Sequence, residues 1–536
     1  MKSKEYKDKR LNMAQQLRNP KVVVIGAGMT GILMTIKLRE AGINDVIILE
    51  KADKVGGTWR ENTYPGVACD VPSYSYTYKF EPNPNWSHLF ARGDEIQQYF
   101  QMVADKYGVT QSVRFNESVT DAVYDEGKWT VKTSKGDTII ADFVVAATGI
   151  LHHPARPDIE GIDSFKGTMF HSAEWNHSID MKGKRVGVIG NGSTAAQFIP
   201  ELINGGAEVS VFQRTPQWIL PLKDRKFSET HKKLMRKSPA LQRAFNRFGI
   251  AFLEQFFTKA VTGEGKVQGM VMEKWVKRNL KKQVKDPELR KKLTPDYKVG
   301  CKRLIINNTF LDAIQKPNAH LVTDGIESIT DKGIVTKDGV EHELDVIVLS
   351  TGFKPTAYMR PMNMVGRDGL HIDEAWKKKI KAYRSVNMEN YPNFFLMLGP
   401  NTPIGNFSVI AMSEVQTDYI LKLIGRWRQG EYDALEAKPE AIDEFMAYIK
   451  EGMANTAWTG GCQSWYLDGD GDPILWPYTW GQWVKEMQEP DMAAFNTQTF
   501  AAKKSAKKVA RKPAKKQAAK KVTENKSSTK KDEVVA

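Results

Sequence analysis

The chain has 536 residues, 41% hydrophobic and 26% charged, too many for one compact core, so two or three domains are expected. Its formal net charge is +15, yet residues 501–536 hold 13 basic and 3 acidic side chains, a net +10 that leaves only +5 for the rest. No run of about 18 uncharged apolar residues occurs, so no transmembrane helix is expected, and the charged start lacks the apolar centre of a signal peptide. The cysteines Cys69, Cys301 and Cys462 are few, odd in number and far apart. That pattern predicts neither a disulfide framework nor a C-x-x-C redox pair, and a reducing, cytoplasmic compartment.

After a polar leader (1–20), the apolar residues 21–25 predict a strand that runs into Gly26-Ala27-Gly28-Met29-Thr30-Gly31. A strand, a glycine turn and a helix start together cradle a pyrophosphate on backbone N–H groups. Twenty-four residues beyond Gly26, at the end of a second predicted strand, stands Glu50. A carboxylate there accepts hydrogen bonds from ribose hydroxyls and repels a 2′-phosphate, which suits FAD. The unit closes at residues 142–147, an apolar strand ending in Thr148-Gly149.

The same arrangement returns 164 residues after the first, with the strand 185–189 leading into Gly190-Asn191-Gly192-Ser193-Thr194-Ala195. Here the residue 24 positions past the first glycine is Arg214, which attracts a 2′-phosphate and so suits NADPH. Residues 223–295 then change character, becoming rich in Lys, Arg, Leu, Phe and Met, with Phe245, Phe248, Phe252 and Phe256 at helical spacing. A second apolar strand ending in Thr-Gly, at residues 345–352, duplicates the close of the first unit.

These signals predict an α/β fold of two Rossmann-like dinucleotide-binding domains, the NADP domain inserted in the FAD domain, with a helical subdomain. The expected boundaries are 21–150 and 345–496 for the FAD domain, 151–222 and 296–344 for the NADP domain, and 223–295 for the helical insert. Residues 497–536 repeat Ala-Lys-Lys units with almost no large apolar side chain and are expected to stay disordered, open to non-specific anionic contacts. No cluster of His, Cys and carboxylate has metal-ligand spacing.

Between the loops, Phe165-Lys166-Gly167, His171 and Trp175-Asn176 fit an F-x-G-x-x-x-H-x-x-x-W-(P or D) pattern up to its last position, where this chain has Asn176. Gly56-Gly57-Thr58-Trp59, Tyr64-Pro65-Gly66 and Asp70 form a second pattern. Over roughly residues 20–490 the chain resembles the Baeyer–Villiger monooxygenases, which use FAD, NADPH and O2 to insert an oxygen atom next to a ketone carbonyl. The resemblance implies a C4a-peroxyflavin held as an anion by Arg303 of the Lys302-Arg303 pair, with Asp70 positioning that arginine. It implies FAD contacts at Gly26, Gly28, Gly31, Glu50, Thr58, Trp59 and Asp70. NADPH contacts fall at Gly190, Gly192, Ser193, Thr194, Gln197, Arg214, Thr215 and Lys302.

By the same resemblance Gly167, His171 and Trp175 lie on a conformational linker, and Trp465, Tyr466 and Trp476 line the substrate side. A flavin monooxygenase that oxidises nitrogen or sulfur is the alternative; it has no need of the cation at Arg303. The missing C-x-x-C pair excludes a disulfide-reductase reaction.

Overall fold

The computed structural model describes residues 17–402, 404–405, 407–462, 466–472 and 474–500; the Lys-rich tail, Trp465 and most of the leader lie outside this set. The first apolar run forms strand β1 (Val22–Ile25), buried at every position as a central parallel strand must be. Helix α1 (Met29–Glu40) follows the glycine turn, and β2 (Val46–Leu49) pairs in parallel with β1. Strands β3 (Val113–Arg114) and β4 (Phe143–Ala146) extend this sheet on its two sides.

A second sheet begins with β5 (Thr168–His171) and β6 (Arg185–Ile189), followed by helix α2 (Ser193–Asn204) and β7 (Glu208–Phe212). Its other strands are β8 (Ala319–Val322) and β9 (Val346–Leu349). The chain then returns to the first sheet through β10 (Phe394–Leu396), and α3 (Val409–Arg428) covers that sheet beside α1. The orders are β10-β4-β1-β2-β3 and β8-β7-β6-β9-β5, each five-stranded and parallel throughout. Helices cover one face of each and a small, largely antiparallel sheet packs on the other, and the second domain is inserted into the first.

The expected boundary at 344 falls one strand too early. Residues 346–349 pair with β6 and β5, so the inserted domain keeps them and the return to the first sheet comes after Gly352. The apolar run at 345–349 has the same pattern in either sheet; only hydrogen bonding to β6 assigns it. The insert is helical at Glu229–Lys237, Pro239–Phe252, Lys266–Gln283 and Pro287–Lys292. A wider turn at Leu253–Thr258 breaks the regular spacing of its phenylalanines.

Candidate active site

Neither glycine-loop helix carries a side-chain cap. Gly28 and Gly192 stand at the N-cap positions of α1 and α2, and neither first turn has an acidic residue. The first N–H groups and the positive end of each helix dipole are therefore open to an anion. The tight approaches explain the glycines. A Cβ on Gly31 would stand 1.9 Å from the Gly26 carbonyl oxygen, and one on Gly190, at φ +108°, would stand 2.4 Å from the Ser350 oxygen. At Gly192 no protein atom lies within 4 Å of the missing Cβ, so the loop faces open cleft, as a pyrophosphate requires.

Both loops open onto one cavity of about 1630 Å³. Gly26, Gly28, Glu50, Thr58, Trp59 and Asp70 line it from the first domain. Gly190, Gly192, Ser193, Thr194, Gln197, Arg214, Thr215, Lys302 and Arg303 line it from the second. Gly31 sits beneath its loop instead. The linker residues also stay out of the cavity: Gly167 is wedged where a Cβ would meet the Asp345 oxygen at 2.6 Å, and Trp175 packs on Phe170 and Phe198.

Glu50 is 5% exposed and accepts hydrogen bonds from the Ala27 N–H at 2.8 Å, the Ala52 N–H at 3.0 Å and Arg60 at 3.1 Å. It thus fixes the glycine loop while its rim borders the cavity. Gln197, expected at the cofactor, spends its amide on the first domain. Its Oε1 accepts from Tyr64 Oη at 2.9 Å and its Nε2 donates to the Ala68 oxygen at 2.9 Å. Lys302 and Arg214 are close enough that burial and the Arg214 charge together lower the lysine's pKa. Two neighbouring cations with cleft access suit a phosphate.

The centre of the site is an ion pair across the two domains. Arg303 Nε donates to Asp70 Oδ2 at 3.0 Å, and Nη2 donates to Oδ1 and Oδ2 at 2.7 Å each. Burial works against the guanidinium charge, but Asp70, together with Tyr466 and Cys69, offsets it and the net shift is upward, so Arg303 stays a cation. Beside it Tyr466 is buried and its hydroxyl is raised to about 12, chiefly by desolvation. Cys69, next to Asp70, is a buried thiol pushed well up by burial and by the Asp70 charge. It is no nucleophile.

Two expectations are corrected here. Cys301 and Cys462 form a disulfide, with Cα atoms 6.1 Å apart despite a sequence separation of 161. Cys462 and the turn that carries Lys302-Arg303 meet in space, which linear spacing does not reveal. Trp476 is fully buried among Phe445, Tyr448 and Trp483 and does not line the cleft.

Sequence reasoning did not place His152 and His153 at the site. The two rings are 3.9 Å apart on the cavity wall, and burial with His153 beside it takes His152 down to about 4. Among the described residues no group of His, Cys and carboxylates is placed to hold a metal.

Residues 23–230 match the pyridine nucleotide-disulphide oxidoreductase family. An uncharacterised monooxygenase of Mycobacterium tuberculosis is 46% identical over 86% of this chain and 92% of its own length. The crystal structure of OTEMO in complex with FAD and NADP superposes with a TM-score of 0.80 at 27% identity, covering 90% of this chain and all of that one. A Baeyer–Villiger monooxygenase of Streptomyces coelicolor is 40% identical over 89% of this chain and 92% of its own length. With a relative this similar along nearly its whole length, and both nucleotide loops opening on one cleft, the chain belongs to the Baeyer–Villiger monooxygenases.

Proposed function

We propose that the chain uses FAD and NADPH to insert one oxygen atom of O2 next to a ketone carbonyl, giving an ester or lactone. The observation that supports this most directly is Arg303, held charged by Asp70 in a cleft shared by two uncapped nucleotide loops. Bound flavin, reduced by NADPH, supplies the oxygen activation.

The chain's own residues supply placement and electrostatics. The α1 N-terminus with Gly26, Gly28 and Glu50 holds the FAD pyrophosphate and adenosine ribose, and Thr58 and Trp59 border the same half of the cleft. The α2 N-terminus takes the second pyrophosphate, and Arg214, Thr215 and Lys302 take the 2′-phosphate. Arg303 stabilises negative charge on the oxygen that attacks the carbonyl, a role for a group that keeps its proton. Asp70 orients the guanidinium fork and Tyr466 packs against it. His171, with Gly167 and Trp175, couples the second domain to the first.

The test is anaerobic reduction of the purified yellow protein by NADPH, then admission of O2 with a test ketone, for wild type and Arg303→Ala. The variant should reduce within a few-fold of wild type yet form ester at least about 100-fold more slowly, the scale of losing a preorganised charge. Ester from the variant at the wild-type rate, or turnover of sulfides and amines only, would sink the reading.

A further inference from the structure

The helical insert differs from the rest of the chain in charge. Residues 223–295 hold 20 Lys/Arg against 7 Asp/Glu, a net +13, whereas the remaining residues up to 500 hold 45 against 53, a net −8. The longest helix of the insert, Lys266–Gln283, buries Met272, Val276 and Leu280. Its outer face runs Val267, Met270, Val271, Lys274, Arg278 and Lys281, apolar in the first half and cationic in the second. Met270 is 56% exposed and Val267 64%.

The apolar half continues onto the neighbouring helix. Trp275, one turn from Val271, meets Phe256 edge-on at 6.4 Å, and Phe256 stacks on Phe252 at 5.5 Å. One turn before Phe252 stands Phe248, whose ring is 72% exposed. The cationic half borders a groove of about 280 Å³ lined by Lys277, Lys281, Arg290 and Lys291. Lys277 pairs with Glu273; among the described residues no carboxylate pairs with the other three.

We propose that this face of the insert docks on an anionic phospholipid bilayer. Apolar side chains flanked by Lys and Arg settle at the boundary of headgroups and acyl chains, where the cations meet lipid phosphates. No helix among the described residues is long and apolar enough to cross, so the attachment is peripheral. Charge separates this partner from its rivals. A second copy would bring +13 against +13, and a nucleic acid would use the cations while leaving Phe248 and Met270 without a role.

Flotation of the full-length protein with vesicles tests the proposal. One set is phosphatidylcholine alone and the other contains equal parts phosphatidylglycerol. Wild type should float only with the anionic set, and Phe248→Ser combined with Met270→Ser should lower the bound fraction about tenfold. The serine variant keeps every charge, including those of the basic tail, and unchanged flavin content and thermal midpoint will show that it folds. Flotation of the variant equal to wild type would assign any binding to charge alone and overturn the proposal. Failure of wild type to float would overturn it too, as would a dimer without vesicle binding that the serine changes dissociate.

Discussion

Arg303 depends on one carboxylate for its orientation. Three hydrogen bonds tie its fork to Asp70, and the two residues come from different domains. Asp70→Asn keeps the size of the partner but removes its charge and turns an N–H donor toward a donor. Ester formation should fall about 10- to 100-fold while flavin reduction by NADPH changes only a few-fold, read by stopped flow in separate reductive and oxidative halves. Equal losses in both halves would mean that Asp70 merely holds the fold together. Asp70 and Arg303 were identifiable in the sequence only through the family pattern, because a Lys-Arg pair in a basic chain is otherwise two solvated charges. Tyr466 fared similarly: the resemblance placed it at the substrate side, but only the fold sets it against the guanidinium.

At the scale of elements, the two nucleotide units were legible because each is local: strand, glycine turn, helix and strand within 30 residues, with the diagnostic residue at a fixed count. What depends on long-range pairing was not. Strand β9 has the same apolar run whichever sheet it joins, and the cysteine pair joins segments 161 positions apart. The disulfide is directly countable. Unfolded without reductant, the chain should expose one reactive thiol, that of Cys69, and after reduction three. Cys301→Ser with Cys462→Ser should cost about 2–4 kcal/mol of stability, measured by denaturant unfolding, since closing so long a loop restrains the unfolded chain. Three thiols before reduction would refute the pairing. Because Cys301 precedes Lys302-Arg303, the bridge also anchors the turn from which the key cation projects.

At the scale of the whole molecule, chemistry in the shared cleft needs the two domains held in register, and the linkers between them share that task with the Arg303–Asp70 pair and the Gln197 contacts. The linkers run side by side, Ala155 N–H to the Gly352 oxygen at 2.8 Å and Lys354 N–H to the His153 oxygen at 2.9 Å. His171 ends β5 at this junction. Its Nδ1 accepts from the Ala173 N–H at 3.1 Å, its ring meets Phe353 edge-on at 5.8 Å, and burial lowers its pKa. A ring that lies outside the cleft and packs on a linker is not placed to exchange a proton with substrate. Its removal should therefore act on domain placement. His171→Ala should keep its full flavin content, because the first sheet and its loop are untouched, yet turn over about tenfold more slowly with a changed KM for NADPH. Flavin absorbance per chain and steady-state kinetics decide it. Loss of bound flavin would place His171 in the scaffold of the first domain, and wild-type kinetics would leave the coupling to Gln197 and its clasp on Tyr64 and Ala68, another bridge between the two halves.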